Sequence, residues 1–155
     1  MGTKLLSIPF SGKRYVKQDF QDFDPPCIDI ICDICNMSPI PDESFGLVLN
    51  LESLEHISNP QKAIDEIHRI LRPNGLLILT TVMHFKIHRY PKDYWRFTPH
   101  GVELLLSRFK ILDCTLEGSE EWPIGIWVTA KKNLFTRRMG EPSSFKNHEM
   151  GWSSS

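Results

Sequence analysis

His84 and His88 stand four residues apart in Val82 to Phe97, a stretch with no clean helical or strand period. An imidazole exchanges its proton near neutrality, so each is a candidate catalytic base. The plainer alternative is a pair of exposed loop histidines. The same stretch carries Phe85, Lys86, Arg89, Tyr90, Lys92, Asp93, Tyr94, Trp95, Arg96 and Phe97. Long irregular segments inside a compact domain are usually lids or binding loops, and so many aromatics argue against disorder. Tyr90, Tyr94 and Trp95 are candidate walls of a substrate pocket, with a small satellite core as the alternative. A second polar group, Asn50, Glu52, Glu55 and His56, follows an apolar run, and His56 is a candidate brace for the loop.

The cysteines are Cys27, Cys32, Cys35 and Cys114. Cys32-Asp-Ile-Cys35 has the CxxC spacing, but a structural zinc site needs four ligands, and no second CxxC or His-x3-His pair is present. A redox pair belongs at a helix N-terminus, whereas this one leaves a strand for Asn-Met-Ser-Pro. The expectation is reduced thiols and no metal.

These residues are positioned by the segment Phe45 to Thr81. Gly46 to Leu51 and Leu76 to Thr81 are short apolar runs of the kind buried on both faces of a parallel sheet. Between them Asn59 is a good N-cap and Pro60 fits the first helical position. Ala63, Ile64, Ile67, Ile70 and Leu71 recur at helical spacing, which predicts a helix from Pro60 to Leu71. Asp65 and Arg69 are placed to pair across its outer face, and His68 falls on its exposed side with no role. Arg72-Pro-Asn-Gly75 ends the helix and turns the chain into the second strand. A strand–helix–strand unit of this kind is right-handed, and its ligands sit beyond the carboxyl ends of the strands. That rim carries Asn50 to His56 on one strand and Thr80 to His88 on the other.

Toward the N-terminus, Arg14 to Phe20 and Ile28 to Cys32 read as strands, ending near Asp19 and Asp33. Leu5 to Ile8 is a further short apolar run. Toward the C-terminus, Thr98-Pro99 caps a helix whose buried face is Val102, Leu105, Leu106 and Phe109. Ile111 to Leu116 and Gly125 to Ala130 then pair as an antiparallel hairpin. The organisation expected is one domain over residues 1–130 and a polar tail over 131–155.

Of the 155 residues, 41% are hydrophobic and 24% charged, the balance of a globular domain with a real core. Lys and Arg total 18 against 19 Asp and Glu, so no global positive field draws in a phosphate backbone, which weakens a nucleic-acid reading. No apolar run reaches membrane-spanning length, and Leu5 to Phe10 is too short and broken for a signal peptide, so a cytoplasmic location is expected.

Asp33 to Met37, Pro41 to Ile57 and Ile70 to Thr80 together resemble class I S-adenosylmethionine-dependent methyltransferases, most closely the type 11 methyltransferase domain. Tyr90-Pro-Lys-Asp-Tyr-Trp-Arg-Phe-Thr-Pro99 is similar to a subgroup of it. The resemblance implies an α/β fold: a Rossmann-like, mostly parallel sheet with a C-terminal antiparallel hairpin. It also implies S-adenosyl-L-methionine as cofactor. Asp19 matches the acid that holds the ribose, and Asp33 the acid that accepts from the adenine amino group, with the Ile34 backbone beside it. Asn50 and Leu51 match the floor near the methionine part. The family's first strand, first helix and glycine-rich loop are not found before Asp19. The implied function is methyl transfer to a small-molecule, lipid or sugar-precursor acceptor, with no nucleic-acid or membrane partner. The alternative is an inactive remnant that binds a partner, either another copy or a full-length methyltransferase.

Overall fold

A computed structural model describes residues 15–88 and 91–133 of the chain. Their elements are β1 (Gln18–Asp19), β2 (Ile30–Ile31), β3 (Phe45–Leu51), a single 3-10 turn (Leu54–His56), α1 (Pro60–Ile70), β4 (Leu71–Val82), α2 (Pro99–Leu105), β5 (Phe109–Gly118) and β6 (Pro123–Lys132). Strands β3, β4, β6 and β5 lie side by side in that order. The β3–β4 pair is parallel, and β4–β6 and β5–β6 are antiparallel. The parallel pair crossed by a helix and the C-terminal hairpin both agree with the sequence. Strands β1 and β2 form a separate parallel pair, much shorter than their sequence runs suggested. The expected tail lies outside the described residues apart from its start, since β6 runs past residue 130 to Lys132. Leu5 to Ile8 and Tyr90 also lie outside them.

α1 begins where its caps dictate. The Asn59 side chain accepts from the Lys62 N–H at 3.1 Å, and Pro60 occupies the first turn. Its apolar stripe of Ala63, Ile64, Ile67 and Ile70 is at most 4% exposed and packs with Leu77 and Leu79 of β4, Val102 and Leu106 of the α2 segment, and Ile126, Val128 and Ala130 of β6. Alternation along β4 explains the side taken: Leu77 and Leu79 lie opposite Ala130 and Val128, so all four point into one core. The continuous apolar run had suggested burial on both faces. Leu76 and Ile78, which point the other way, are only half-buried, because the helical residues of this core lie on the Leu77 face.

Arg72-Pro-Asn-Gly75 does not separate helix from strand as a free turn. It is a bulge within β4, where Phe45 pairs with Leu71 and the next matched pair is Leu47 with Leu76. Asn74 takes a left-handed φ of 62° there. A Cβ on Gly75 would lie 2.9 Å from the Arg72 carbonyl oxygen and 3.0 Å from Leu71 Cδ2. Gly75→Ala should therefore destabilise the protein by about 1–3 kcal/mol, measured as a shift of the urea midpoint, since the contacted carbonyl belongs to the bulge itself. An unchanged midpoint would mean the bulge opens freely.

Two side-chain expectations on α1 are corrected. Arg69 does not pair with Asp65; it bonds Glu66 and Asp42, while Asp65 reaches Arg108 at 3.4 Å. His68 is not on an exposed face; it is 9% exposed and edge-on to Phe109 at 5.2 Å. Both differences come from segments distant in sequence that close over the helix.

Candidate functional site

The carboxyl ends of β3 and β4 are tied together before any loop begins. The Glu52 N–H donates to the Thr80 carbonyl and hydroxyl oxygens, each at 3.1 Å, from a left-handed turn with φ of 48°. Asn50 lies opposite Leu79, so its side chain is on the core face of the sheet at that end. It is 6% exposed, and its Oδ1 has no hydrogen-bond partner; nor has the buried hydroxyl of Ser53. Two unpaired buried oxygens three residues apart are costly without a ligand or water to bond them.

Asp19 closes β1, and Asp33 follows β2. The Asp33 carboxylate accepts from the Cys35 N–H at 2.8 Å, which folds the chain after β2 back toward α1. There Cys35 Sγ lies 3.5 Å from the Asn59 carbonyl oxygen at the α1 N-cap, so this end of β2 is on the same side as the β3 rim. Burial, with Asp33 adding to it, pushes the Cys32 and Cys35 thiols above their usual range, which disfavours reactive thiolates.

The stretch after β4 is pinned onto the turn after β3. The Tyr94 and Trp95 N–H groups both donate to the Glu55 carbonyl, at 2.8 and 3.2 Å, and the Trp95 indole N–H donates to the Ile57 carbonyl at 2.8 Å. Asp93, with a side chain 3% exposed, accepts from Arg96 and from the His88 N–H. Those contacts hold the Asp93 carboxyl well below its usual range. His56 Nδ1 lies 2.9 Å from the Lys92 carbonyl oxygen, so His56 does brace the loop.

Of the two candidate bases, His88 is brought to this rim: its Nε2 lies 2.9 Å from His56 Nε2. His84 stays exposed on the β6 side, with its N–H bonded to the Pro123 carbonyl and its ring edge-on to Trp122. Tyr94 and Trp95 are both partly open to solvent, and Trp95 also contacts the ring of Phe97. Among the described residues, Phe97 alone of the loop's aromatics joins the main core. Glu55 is the residue whose weight sequence alone did not carry. It is 1% exposed, its carboxylate accepts from the Thr81 hydroxyl at 3.2 Å, and burial raises its pKa. Its neighbour Glu52 gave no sign of this, because periodicity does not operate within a turn.

Residues 8–79 match the family model described as methyltransferase domain. Demethylmenaquinone methyltransferase of Chlamydia felis is 38% identical over 76 residues, covering 49% of this chain and 33% of that protein. Ubiquinone biosynthesis O-methyltransferase of Ruegeria pomeroyi is 40% identical over 52 residues, covering 34% of this chain and 19% of that protein. This chain thus spans a third or less of the length of these curated relatives. The crystal structure of Burkholderia thailandensis 1,6-didemethyltoxoflavin-N1-methyltransferase, with 1,6-didemethyltoxoflavin and S-adenosylhomocysteine bound, superposes with a TM-score of 0.54. The overlap covers 67% of this chain and 50% of that chain at 19% identity, a likeness of fold.

Proposed function

We propose that this chain is a class I S-adenosylmethionine-dependent methyltransferase and that it transfers a methyl group to a small acceptor held at the β3–β4 rim. The observation that carries the reading is the buried, unpaired Oδ1 of Asn50 at the carboxyl end of β3, within the stretch matched to the family. An acceptor atom left without a donor suits the ammonium end of the cofactor. Asp19 and Asp33 suit its ribose hydroxyls and its adenine amino group, with the Ile34 backbone beside the adenine and Leu51 flooring the site. The cofactor supplies an electrophilic methyl group on a sulfonium.

The chain's own part is to align the acceptor, exclude water and receive a proton where the nucleophile is a hydroxyl. Tyr94 and Trp95, pinned through Glu55 and Ile57, wall the acceptor side of the cleft. His88 stands on the rim where it can take the proton, and His84, the second candidate base, lies on the β6 side. The names of the relatives favour a quinol-like ring as acceptor. A cytoplasmic setting goes with this reading, and no helix among the described residues is long and apolar enough to cross a membrane.

Calorimetry with S-adenosylhomocysteine tests the site first. Asp33→Ala should weaken binding by about 10- to 100-fold, the worth of about 1.5–3 kcal/mol for hydrogen bonds to a charged group. Asn50→Leu should also weaken it. Transfer of labelled methyl from S-adenosylmethionine to a demethylmenaquinol or polyprenyl catechol then tests the acceptor class. Wild-type protein that binds no cofactor would end the proposal, as would tight binding unaffected by either substitution.

A further inference from the structure

The meeting of His56 and His88 poses a problem of protons. His56 Nδ1 lies 2.9 Å from the Lys92 carbonyl oxygen, which can only accept, so Nδ1 carries a hydrogen. His88 Nδ1 lies 3.2 Å from the Asp93 carboxylate and 3.4 Å from the Lys86 carbonyl oxygen, which also only accept. A neutral imidazole has one N–H, so both Nε2 atoms bear lone pairs. Those lone pairs face each other at 2.9 Å, with the ring planes 87° apart. Two bare nitrogens repel at that distance unless a positive charge lies between them.

The third party is already in place. Glu55 Oε1 is 3.9 Å from His56 Nε2, and one ligand atom from each of the three residues lies within 4.8 Å of the others. The Glu55 side chain is 1% exposed, and its carboxylate accepts from the Thr81 hydroxyl and from its own backbone N–H. A buried carboxylate of this kind is held ionised by a nearby cation and otherwise takes a proton.

We propose that Glu55, His56 and His88 form a binding site for one divalent ion of the zinc type, held by the two Nε2 atoms and the Glu55 carboxylate. Two imidazoles and a carboxylate are a zinc donor set with a fourth position open to water or to an acceptor oxygen. Nitrogens bound at about 2.0–2.1 Å on a tetrahedral ion are about 3.3 Å apart, so the rings need to part by only about 0.4 Å. The supporting contacts are those that orient ligating histidines: each ring donates its other N–H to a carbonyl or carboxylate. The ion joins the turn after β3 to the loop after β4, fixing the loop by a bond stronger than its hydrogen bonds. It also occupies the Nε2 lone pair of His88, so His88 takes no proton while the ion is bound.

The test uses the full chain freed of metal by chelation, without cofactor or acceptor, so its outcome is independent of methyl transfer. Zinc titrated calorimetrically should bind with a stoichiometry of one, and cobalt should give the visible absorption of a tetrahedral nitrogen–oxygen site. His56→Gln, His88→Gln and Glu55→Gln should each weaken zinc by roughly 100-fold, at least the loss that follows removal of a supporting contact. Cys32→Ser with Cys35→Ser should bind as the wild type does. Should a histidine variant fail to fold, imidazole NMR of the wild type decides: zinc should move the His56 and His88 signals and leave His84 in place. No stoichiometric zinc, binding lost only with the cysteines, or zinc that leaves both imidazole signals unmoved would overturn the site.

Discussion

Arg69→Met should destabilise the protein by about 3–5 kcal/mol, read as a lowered urea midpoint at unchanged slope. The guanidinium ties α1 to the segment Met37 to Asp42. Its Nη1 donates to the Ile40 carbonyl at 2.8 Å and to Asp42 at 2.7 Å. Its Nη2 donates to the Met37 carbonyl at 2.8 Å, and Nη2 and Nε together clasp Glu66 at 2.9 and 2.8 Å. Met37 and Ile40 are core residues, 2% and 3% exposed. Methionine conserves the volume of the stem but takes the guanidinium from two carbonyls and from the Asp42 and Glu66 carboxylates, each at a cost of about 1–3 kcal/mol. The Arg69 side chain is 27% exposed, so water recovers part of that loss, which is why the total stays below the sum. Arg69→Lys should restore little, because an ammonium cannot reproduce the fork. The consequence extends to the site: the segment Arg69 holds returns the chain from Asp33 to β3, so cofactor affinity should fall as well. A midpoint shift worth less than about 1 kcal/mol would mean that Arg69 is an ordinary surface pair.

Acidification should remove roughly 3 kcal/mol of stability between about pH 6.5 and pH 4 through His68 alone. Burial, with Arg108 and Lys132 nearby and Asp65 only partly opposing them, lowers its pKa from 6.5 to about 4. In that window the unfolded chain binds a proton that the folded protein refuses, so stability rises with pH and is lost as pH falls. The size follows from about 1.4 kcal/mol for each unit of pKa difference. Glu55, whose pKa burial raises, acts in the opposite direction and offsets part of the fall. The comparison of wild type with His68→Leu isolates the histidine, since Glu55 is common to both. Chemical denaturation from pH 7.5 to pH 4 should give a flatter curve for the variant; parallel curves would show that His68 reaches solvent when it takes its proton.

Both results concern groups whose surroundings the sequence misassigned, and the reason is the same. The heptad-like stripe on α1 places Ala63, Ile64, Ile67 and Ile70 inward without reference to the rest of the chain. It says nothing about what closes over the helix flanks. There the segment around Met37 to Asp42 claims Arg69, and Phe109 with the end of β6 covers His68.

The β3–α1–β4 unit, the cap residues Asn59 and Thr98, and the β5–β6 hairpin were all legible as sequence. So was the place of the rim at the carboxyl ends of β3 and β4, because each of these depends on neighbours within a few residues or on the handedness of a single crossover. Asp19, Asp33 and Asn50 could be nominated in the same way, by their place at strand ends. The encounter of Glu55, His56 and His88 could not. Residues 56 and 88 stand on different loops, and nothing local states that Lys92 and Asp93 orient both rings so that their lone pairs converge. Periodicity and capping act along the chain, whereas a ligand set forms across it. Only the parallel register of β3 with β4, which brings both loops out at one end of the sheet, decides that these side chains meet.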